Sequence, residues 1–540
     1  MARAIELTDG DYDVVILGGG VAGAGVARDL ALRGVSVALL DKGDFASGTT
    51  SRSSKLIHGG LRYLELFDFG LVRESLRERE TLRRLAPHLV RPLPFLVPVY
   101  RESSRSLIKV RIGLTLYDWL APRRGRERYR VLAPVDVLSL EPALRAHDLK
   151  GAGYYFDDLL LFPERLCLEN VLSACRHGAR AFNYTEAEEL LRDRGGRLVA
   201  VKARDLLSDR VATLRCRVVV NATGPWVDLV RARAGIAERG SRIVRRTKGI
   251  HCLLPRLTER AIYQSTSDDR MIFVIPWRDF SLVGATDTDF DGDLDRLAAT
   301  REEVAYLLGE VRKVVPDDRV TPEQVAYTYA GVRPLSWEED KRASDVSRAH
   351  RVVPEAEGTL LSITGTKLTC YRSLAAELGD RVLRTLGRQT AGRTARLMLD
   401  GTDGEVGRME ARIWLDVGPE VAASGLQRDT LQTLVETYGR GYRRVIELAG
   451  KVPGGTELLC PQNHEIVAQL YTAVQEEQAV SLQDLLLRRT GIGTSRCQGL
   501  DCAEAIGRRM AQLSGWTPRR LEAELDAYHA CVARSRRFRD

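Results

Sequence analysis

The chain has 540 residues, too many for one hydrophobic core, so two or three domains are expected. Hydrophobic residues make up 44%, an ordinary globular share that excludes disorder as the dominant state. The formal charge of +8, mostly from arginine, suits an anionic partner, but it is too dilute for a nucleic-acid face and no stretch resembles a nucleic-acid module.

Met1–Asp13 is polar and acidic with no apolar stretch of the kind that heads a secreted chain, so no signal peptide is expected. Val14-Val15-Ile16-Leu17 reads as a buried strand. Gly18-Gly19-Gly20-Val21-Ala22-Gly23 then fits G-x-G-x-x-G, the turn of a dinucleotide fold. Gly18 permits the tight turn, Gly20 lets backbone approach a pyrophosphate, and Gly23 lets the next helix pack close. Residues 22–33 read as that helix, with its N-terminal amides toward the phosphates. Val35 to Leu40 reads as the second strand, and Asp41 follows 21 positions after Gly20, where an acid bonds a ribose hydroxyl. The fingerprint alone does not choose between NAD and FAD.

The next segment does. Gly48-Thr49-Thr50-Ser51-Arg52-Ser53-Ser54-Lys55-Leu56-Ile57-His58-Gly59-Gly60-Leu61-Arg62-Tyr63-Leu64-Glu65 resembles the FAD-dependent glycerol-3-phosphate dehydrogenases of the aerobic, respiratory type. Further similar segments follow in family order: Asn221 to Trp226, Lys248 to His251, Phe273 to Trp277, Gly284 to Asp287, Gly331 to Leu335 and Gly365 to Thr369. The resemblance runs from about residue 11 to 380 and more weakly beyond.

That resemblance implies an α/β fold: a FAD-binding Rossmann-like domain of the glutathione-reductase and D-amino-acid-oxidase type, interleaved with a mixed β-sheet substrate domain, plus an all-α C-terminal domain. The expected FAD segments are about 11–100, 150–240 and 325–385, the substrate segments about 100–150 and 241–325, and the helical domain 401–540. FAD contacts are implied at Gly18, Gly20, Gly23, Asp41, Thr50, Ser51, Ser54, Lys55, Leu56, His58 and Gly60. They continue at Ala222, Thr223 and Gly224, then at Gly365, Thr366, Lys367, Leu368 and Thr369. The family usually has glycine where Thr366 stands.

The implied reaction is oxidation of sn-glycerol 3-phosphate to dihydroxyacetone phosphate, with hydride passing from C2 to flavin N5 and electrons then to membrane quinone. A dianionic phosphate calls for arginine, whose planar fork makes paired charge-assisted bonds. Arg333 and Arg348 match the phosphate-binding positions, and Arg62 and Tyr63 match those closing the pocket. Lys367 is a cation suited to the anionic reduced flavin or to substrate. His251, in Lys248-Gly249-Ile250-His251, is the candidate general base, because imidazole titrates near working pH. A substrate-bound water or Lys367 is the alternative base. Oxygen as electron acceptor stays open, as does a same-fold enzyme acting on another hydroxy acid or an amine. A homodimer is also left open.

Leu107–Leu120 has nine apolar or aromatic residues of fourteen, with Arg105, Lys109, Arg111 and the basic run 123–130 nearby. Two readings stand level: a segment lying on an anionic lipid surface, as a peripheral protein on the cytoplasmic side would have, or an ordinary core helix with a basic loop. No run reaches the eighteen apolar residues of a spanning helix.

No metal is expected. Asp287, Asp289, Asp291, Asp293 and Asp295 alternate, but the calcium-loop pattern fails and a solvated acidic turn is the reading. The nine cysteines are scattered and odd in number, against a disulfide framework. Cys497-x4-Cys502 with Cys460 resembles part of the iron–sulfur module of the anaerobic relatives, but that module needs four thiolates and Cys460 has no near partner in sequence. From residue 400 on, amphipathic stretches at 427–449, 463–488, 500–513 and 518–535 read as a helical bundle or cap.

Overall fold

The computed structural model describes residues 6–122, 128–236, 241–339, 346–405 and 424–540. Among them, two sheets of eight and ten strands stand beside a helical C-terminal region, the expected α/β class.

The first sheet contains Gly10–Leu17 (β1), Val37–Leu40 (β2), Arg180–Phe182 (β7), Thr185–Arg192 (β8), Leu198–Asp205 (β9), Val211–Asn221 (β10), Arg351–Glu355 (β17) and Leu360–Thr364 (β18). Its path is β17-β18-β10-β1-β2-β7, and β8 and β9 extend from β10 as an antiparallel arm. The pairs joining β18, β10, β1, β2 and β7 are parallel. Parallel strands must be covered on both faces, which is why Val14, Val15 and Ile16 are fully buried and read as one continuous apolar run. Val21–Leu32 (α1) and the helices Pro163–Arg176 and Tyr371–Leu386 pack one face. The β8–β9 arm supplies Leu190, Val201 and Ala203 to the other.

The second sheet contains Leu56–Ile57 (β3), Val90–Tyr100 (β4), Arg130–Leu132 (β5), Leu149–Leu160 (β6), Val244–Pro255 (β11), Ala261–Ser265 (β12), Met271–Trp277 (β13), Phe280–Gly284 (β14), Thr288–Asp289 (β15) and Tyr327–Ser336 (β16). Sheet membership crosses the expected segment limits. β3 and β4 lie within 11–100 and β16 within 325–385, yet all three belong to the second sheet. Register is the cause: β16 runs antiparallel along β11 from Val244↔Ser336 to Leu253↔Tyr327, which ties it to the neighbouring layer.

The amphipathic pattern after the fingerprint becomes Phe69–Leu85 (α2), capped by the Asp68 carboxylate on the Leu71 amide at 3.2 Å. Leu107–Leu120 is a helix (α3), capped by Ser106 on the Lys109 amide at 3.2 Å. The expected stretch 463–488 is broken in two, Val467–Gln475 and a short turn from Leu482. The break falls where Gln478 takes a φ of 55° and the Ser481 hydroxyl caps a new turn on the Asp484 amide.

Candidate active site

A cavity of about 1010 Å³ runs between the two sheets, at the upper end of what ligand sites occupy. At one end stands the glycine turn. Gly18 has a φ of 101°, and a Cβ there would lie 2.6 Å from the Ala222 carbonyl oxygen. That carbonyl is close because the Ala222 amide donates to Leu17 O at 2.8 Å, drawing the end of β10 against the end of β1. A Cβ on Gly23 would lie 1.9 Å from Gly18 O, so the third glycine sets how closely α1 meets the strand. Gly23 itself does not line the cavity.

α1 begins at Gly20 with no side-chain cap, which leaves an N-terminus open to an anion. The Val21 amide donates to Thr50 Oγ1 at 3.0 Å. Asp41 Oδ2 accepts from the Gly19 amide at 2.6 Å and Oδ1 from the Gly43 amide at 2.8 Å. Burial pushes this carboxyl up to about 6 against those two donors, so it is ionised at neutral pH and able to accept from a ribose hydroxyl. A helix N-terminus that starts on glycine, an acid in register and a turn that tolerates no Cβ are the features a dinucleotide's pyrophosphate and ribose require.

Alternation along β11 and β16 builds the opposite end. Gly249 and His251 share one face of β11, and Tyr329, Gly331 and Arg333 share the facing side of β16, with His251 opposite Tyr329 and Gly249 opposite Gly331. A Cβ at Gly249 would lie 2.4 Å from an Arg333 nitrogen, so this glycine makes the space in which the guanidinium lies. Lys248, on the other face, pairs with Glu303 at 2.8 Å.

His251 is stacked on Tyr329 with ring centroids 4.9 Å apart, and its Nε2 is 2.8 Å from Ser54 Oγ. Its Nδ1 is buried with no partner among the described residues. Burial first, then the charges of Arg333 and Lys55, hold it well below the ordinary imidazole range, so the ring is neutral at physiological pH. Lys367 Nζ donates to His58 O at 2.7 Å and to Ser75 Oγ at 3.0 Å, and stands 5.1 Å over the Tyr63 ring. Burial draws it down to about 8.

Arg333 and Arg348 meet on one carboxylate. Arg333 Nη1 reaches Asp287 Oδ1 at 3.1 Å, and Arg348 Nη2 reaches Oδ2 at 3.0 Å. Burial raises Asp287, but the two guanidiniums outweigh it, so the carboxyl lies below its ordinary value. The expected solvated acidic turn is therefore corrected. Asp287 is largely buried in the site, while Asp289, Asp291 and Asp295 pair separately with Arg245, Arg242 and Lys42.

Of the residues singled out from sequence, Gly18, Gly20, Asp41, Thr50, Ser51, Ser54, Lys55, Leu56, His58, Tyr63, Ala222, Thr223 and Gly224 line this cavity. So do His251, Arg333, Arg348, Gly365, Thr366, Lys367, Leu368 and Thr369. Gly60 stays behind the wall, where a Cβ would lie 2.3 Å from the Tyr63 ring. Arg62 is not brought into the cavity either. It lies on the turn Leu61–Leu64, from which its charge acts on Tyr63 and Tyr263.

The sequence reading missed Asp287 as a site residue, although Gly284 to Asp287 was among the segments noted. It also missed the C-terminal contribution: Thr494, Gln498, Arg534 and Ser535 line the same cavity. The lone position of Cys460 is corrected as well, since its Sγ lies 3.7 Å from Cys497 Sγ.

The chain matches the family of FAD dependent oxidoreductases over residues 13–361 and the C-terminal domain of alpha-glycerophosphate oxidase over 392–521. It is 37% identical to the glycerol-3-phosphate dehydrogenase of Synechocystis, covering 97% of each chain. It is 34% identical to the aerobic glycerol-3-phosphate dehydrogenase of Staphylococcus aureus, over 96% of this chain and 94% of that one. The crystal structure of glycerol-3-phosphate dehydrogenase from Bacillus halodurans complexed with FAD superposes with a TM-score of 0.82 at 29% identity, covering 98% of this chain and 96% of that one. The L-alpha-glycerophosphate oxidase of Mycoplasma pneumoniae, 16% identical with a TM-score of 0.55, shares the fold. The chain belongs to the FAD-dependent oxidoreductase family, on the branch that carries the glycerophosphate-oxidase C-terminal domain, and its cofactor is FAD.

Proposed function

We propose that this protein oxidises sn-glycerol 3-phosphate to dihydroxyacetone phosphate. The observation that carries the reading is the pair Arg333 and Arg348, which meet on Asp287 and line the same cavity as neutral His251 and cationic Lys367. Two forked cations side by side suit a dianionic head group far better than an amine or a simple hydroxy acid. The names of the full-length relatives support the same substrate.

Bound FAD supplies the two-electron hydride acceptor. In the proposed reaction Arg333 and Arg348 grip the phosphate, and Asp287 keeps their forks oriented before substrate arrives. The neutral His251 takes the C2 hydroxyl proton as the hydride leaves, with Ser54 and Tyr329 fixing its ring. Lys367 holds positive charge where negative charge develops, and Tyr63 closes the phosphate end. The glycine turn, Asp41, Thr50, Ser51 and the 222–224 and 365–369 segments hold the cofactor.

Membrane quinone is the proposed acceptor, reached by peripheral attachment on the cytoplasmic side. α3 supports this. Ile108, Ile112 and Trp119 are 72%, 63% and 72% exposed on one stripe, beside exposed Lys109 and Arg111. Residues 123–127 of the basic run lie outside the described residues, and no described helix is long and apolar enough to cross a membrane. The domain division proposed is a FAD unit interleaved with a substrate unit through about residue 400, then the helical domain.

Anaerobic addition of glycerol 3-phosphate to the purified yellow protein tests the substrate. Rapid bleaching by this compound, and not by glycerol or amino acids, is expected; a flavin that stays oxidised rejects the assignment.

A further inference from the structure

Folding gathers three of the nine cysteines and one carboxylate in the C-terminal region. Cys460 sits in the loop between Leu458 and Ile466, which are joined by an isolated β-bridge. Cys497, Asp501 and Cys502 lie in the turn that leads into the helix Ala503–Ser514. Cys460 Sγ is 3.7 Å from Cys497 Sγ and 3.8 Å from Asp501 Oδ1. The ligand atoms of Cys460, Asp501 and Cys502 all lie within 4.8 Å of one another.

Zinc binds thiolate at about 2.3 Å and carboxylate at about 2.1 Å, so a tetrahedral site has sulfur–sulfur edges of about 3.8 Å and sulfur–oxygen edges of about 3.6 Å. The Cys460 distances agree with those edges. A disulfide needs sulfurs at about 2.05 Å and would leave the third thiol idle. An iron–sulfur cluster is held by four cysteine thiolates, whereas three thiols and a carboxylate are gathered here.

The hydrogen bonding points the same way. Asn463 Nδ2 donates to Cys460 Sγ at 3.0 Å and to Cys497 Sγ at 3.5 Å, and the Gly499 amide donates to Cys497 Sγ at 3.3 Å. Gln462 Nε2 holds Asp501 Oδ2 at 2.9 Å, which leaves Oδ1 turned toward the sulfurs. N–H groups aimed at sulfur are the outer-shell arrangement that metal thiolates carry.

We propose that Cys460, Cys497, Cys502 and Asp501 bind one structural zinc ion. Four protein ligands close the coordination sphere, so the ion does no chemistry of its own. It clips the 458–466 loop to the 494–502 turn. That turn carries Thr494 and Gln498 into the cavity wall, where Thr494 O accepts from the Tyr327 hydroxyl at 2.9 Å and Gln498 O from the Tyr528 hydroxyl at 2.6 Å. The inference stands on these residues and not on the proposed substrate.

The test is metal analysis of the full-length, FAD-loaded protein purified without chelator. One zinc per chain is expected in the native protein, and Cys497→Ser and Cys502→Ser should lose it while keeping FAD. Cobalt(II) exchanged into the native protein should bind one per chain, with tetrahedral absorption bands in the red, clear of the flavin. Should the variants fail to fold, the native zinc and cobalt stoichiometries still decide. A native protein that carries no zinc and takes up none after mild reduction overturns the proposal, as does a mass showing two of these thiols oxidised to a disulfide.

Discussion

Arg489 Nη1 and Nη2 reach Asp44 Oδ2 and Oδ1 at 2.8 and 2.9 Å, across 445 residues of chain. Arg488 adds a third bond to Asp44 at 2.6 Å and a fourth to Asp484, also at 2.6 Å. Asp44 stands three residues beyond Asp41, in the loop that follows β2 and whose Asp41, Lys42 and Gly43 line the cavity. The C-terminal helices are thus anchored to the nucleotide loop by a buried charge cluster, and removal of its centre leaves two guanidiniums short of a partner.

Asp44→Asn is expected to cost about 3–5 kcal/mol of stability, the usual penalty for breaking a buried pair from one side. The pH dependence has a definite sign. An unfolded aspartate titrates near 3.9, whereas the two arginines outweigh burial and hold folded Asp44 down at about 2. The pair's stabilisation is therefore complete above about pH 5 and is lost as pH falls from there toward 2. Chemical denaturation at stepped pH should show an acid-side loss in the native protein that shrinks in Asp44→Asn.

Arg348→Ala should weaken glycerol 3-phosphate binding by about 2–5 kcal/mol, because truncation leaves both the phosphate and Asp287 under-paired. Arg333→Ala should do at least as much, since its guanidinium also donates to Thr286 O at 3.1 Å. Inhibition by inorganic phosphate should weaken in parallel, while any slow bleaching by glycerol stays unchanged. Equal losses with glycerol would show that these arginines serve the fold and not the head group.

Burial and the charges of Arg333 and Lys55 hold His251 neutral, so its free-base form is present throughout the physiological range. His251→Gln is expected to slow flavin reduction by about 10²- to 10⁴-fold, the usual contribution of a positioned base. The dissociation constant should change only a few-fold. Stopped-flow reduction at several substrate concentrations separates the two, and an unchanged limiting rate would move the proton to water or to Lys367.

Lys367 predicts a basic limb. With its ammonium drawn down to about 8, the protonated fraction falls as pH rises through that value. Flavin reduction should decline above about pH 8 in the native enzyme, and Lys367→Arg, which keeps its charge, should remove that limb. Persistence of the limb in Lys367→Arg would assign it to another group.

What the sequence disclosed follows from how local the signal is. The glycine turn, its flanking strand and helix, and Asp41 lie within a short stretch whose spacing is dictated by one pyrophosphate, so they were readable directly. His251 and Arg333 were readable through short segments with a characteristic pattern. Asp287 was misread because its role depends on two arginines brought in from β16 and from the 346–350 segment, and alternate acids on a turn otherwise look solvated. Arg62 was placed at the pocket with Tyr63 by the resemblance of its segment, but on the turn Leu61–Leu64 only Tyr63 lines the cavity. The meeting of Cys460 with Cys497 spans 37 residues and had no local pattern to announce it.

α3 offers the sharpest test of membrane attachment. Val110, Leu114 and Tyr117 face the core, whereas Ile108, Ile112 and Trp119 face outward, so the outer stripe can be altered without touching the packing. Lys109 and Arg111 are exposed on the same helix, each worth about 1 kcal/mol near an anionic surface. The double variant Ile112→Asp/Trp119→Asp should lose flotation with anionic vesicles while retaining FAD, thermal stability and anaerobic bleaching. Its turnover with a soluble quinone analogue should be preserved, and turnover with membrane-embedded quinone should fall. Raising the salt should weaken binding of the native protein only partly, because screening removes the lysine and arginine contribution but not apolar insertion. Retention of full vesicle binding by the double variant would transfer the attachment to another surface and return α3 to an ordinary packing helix.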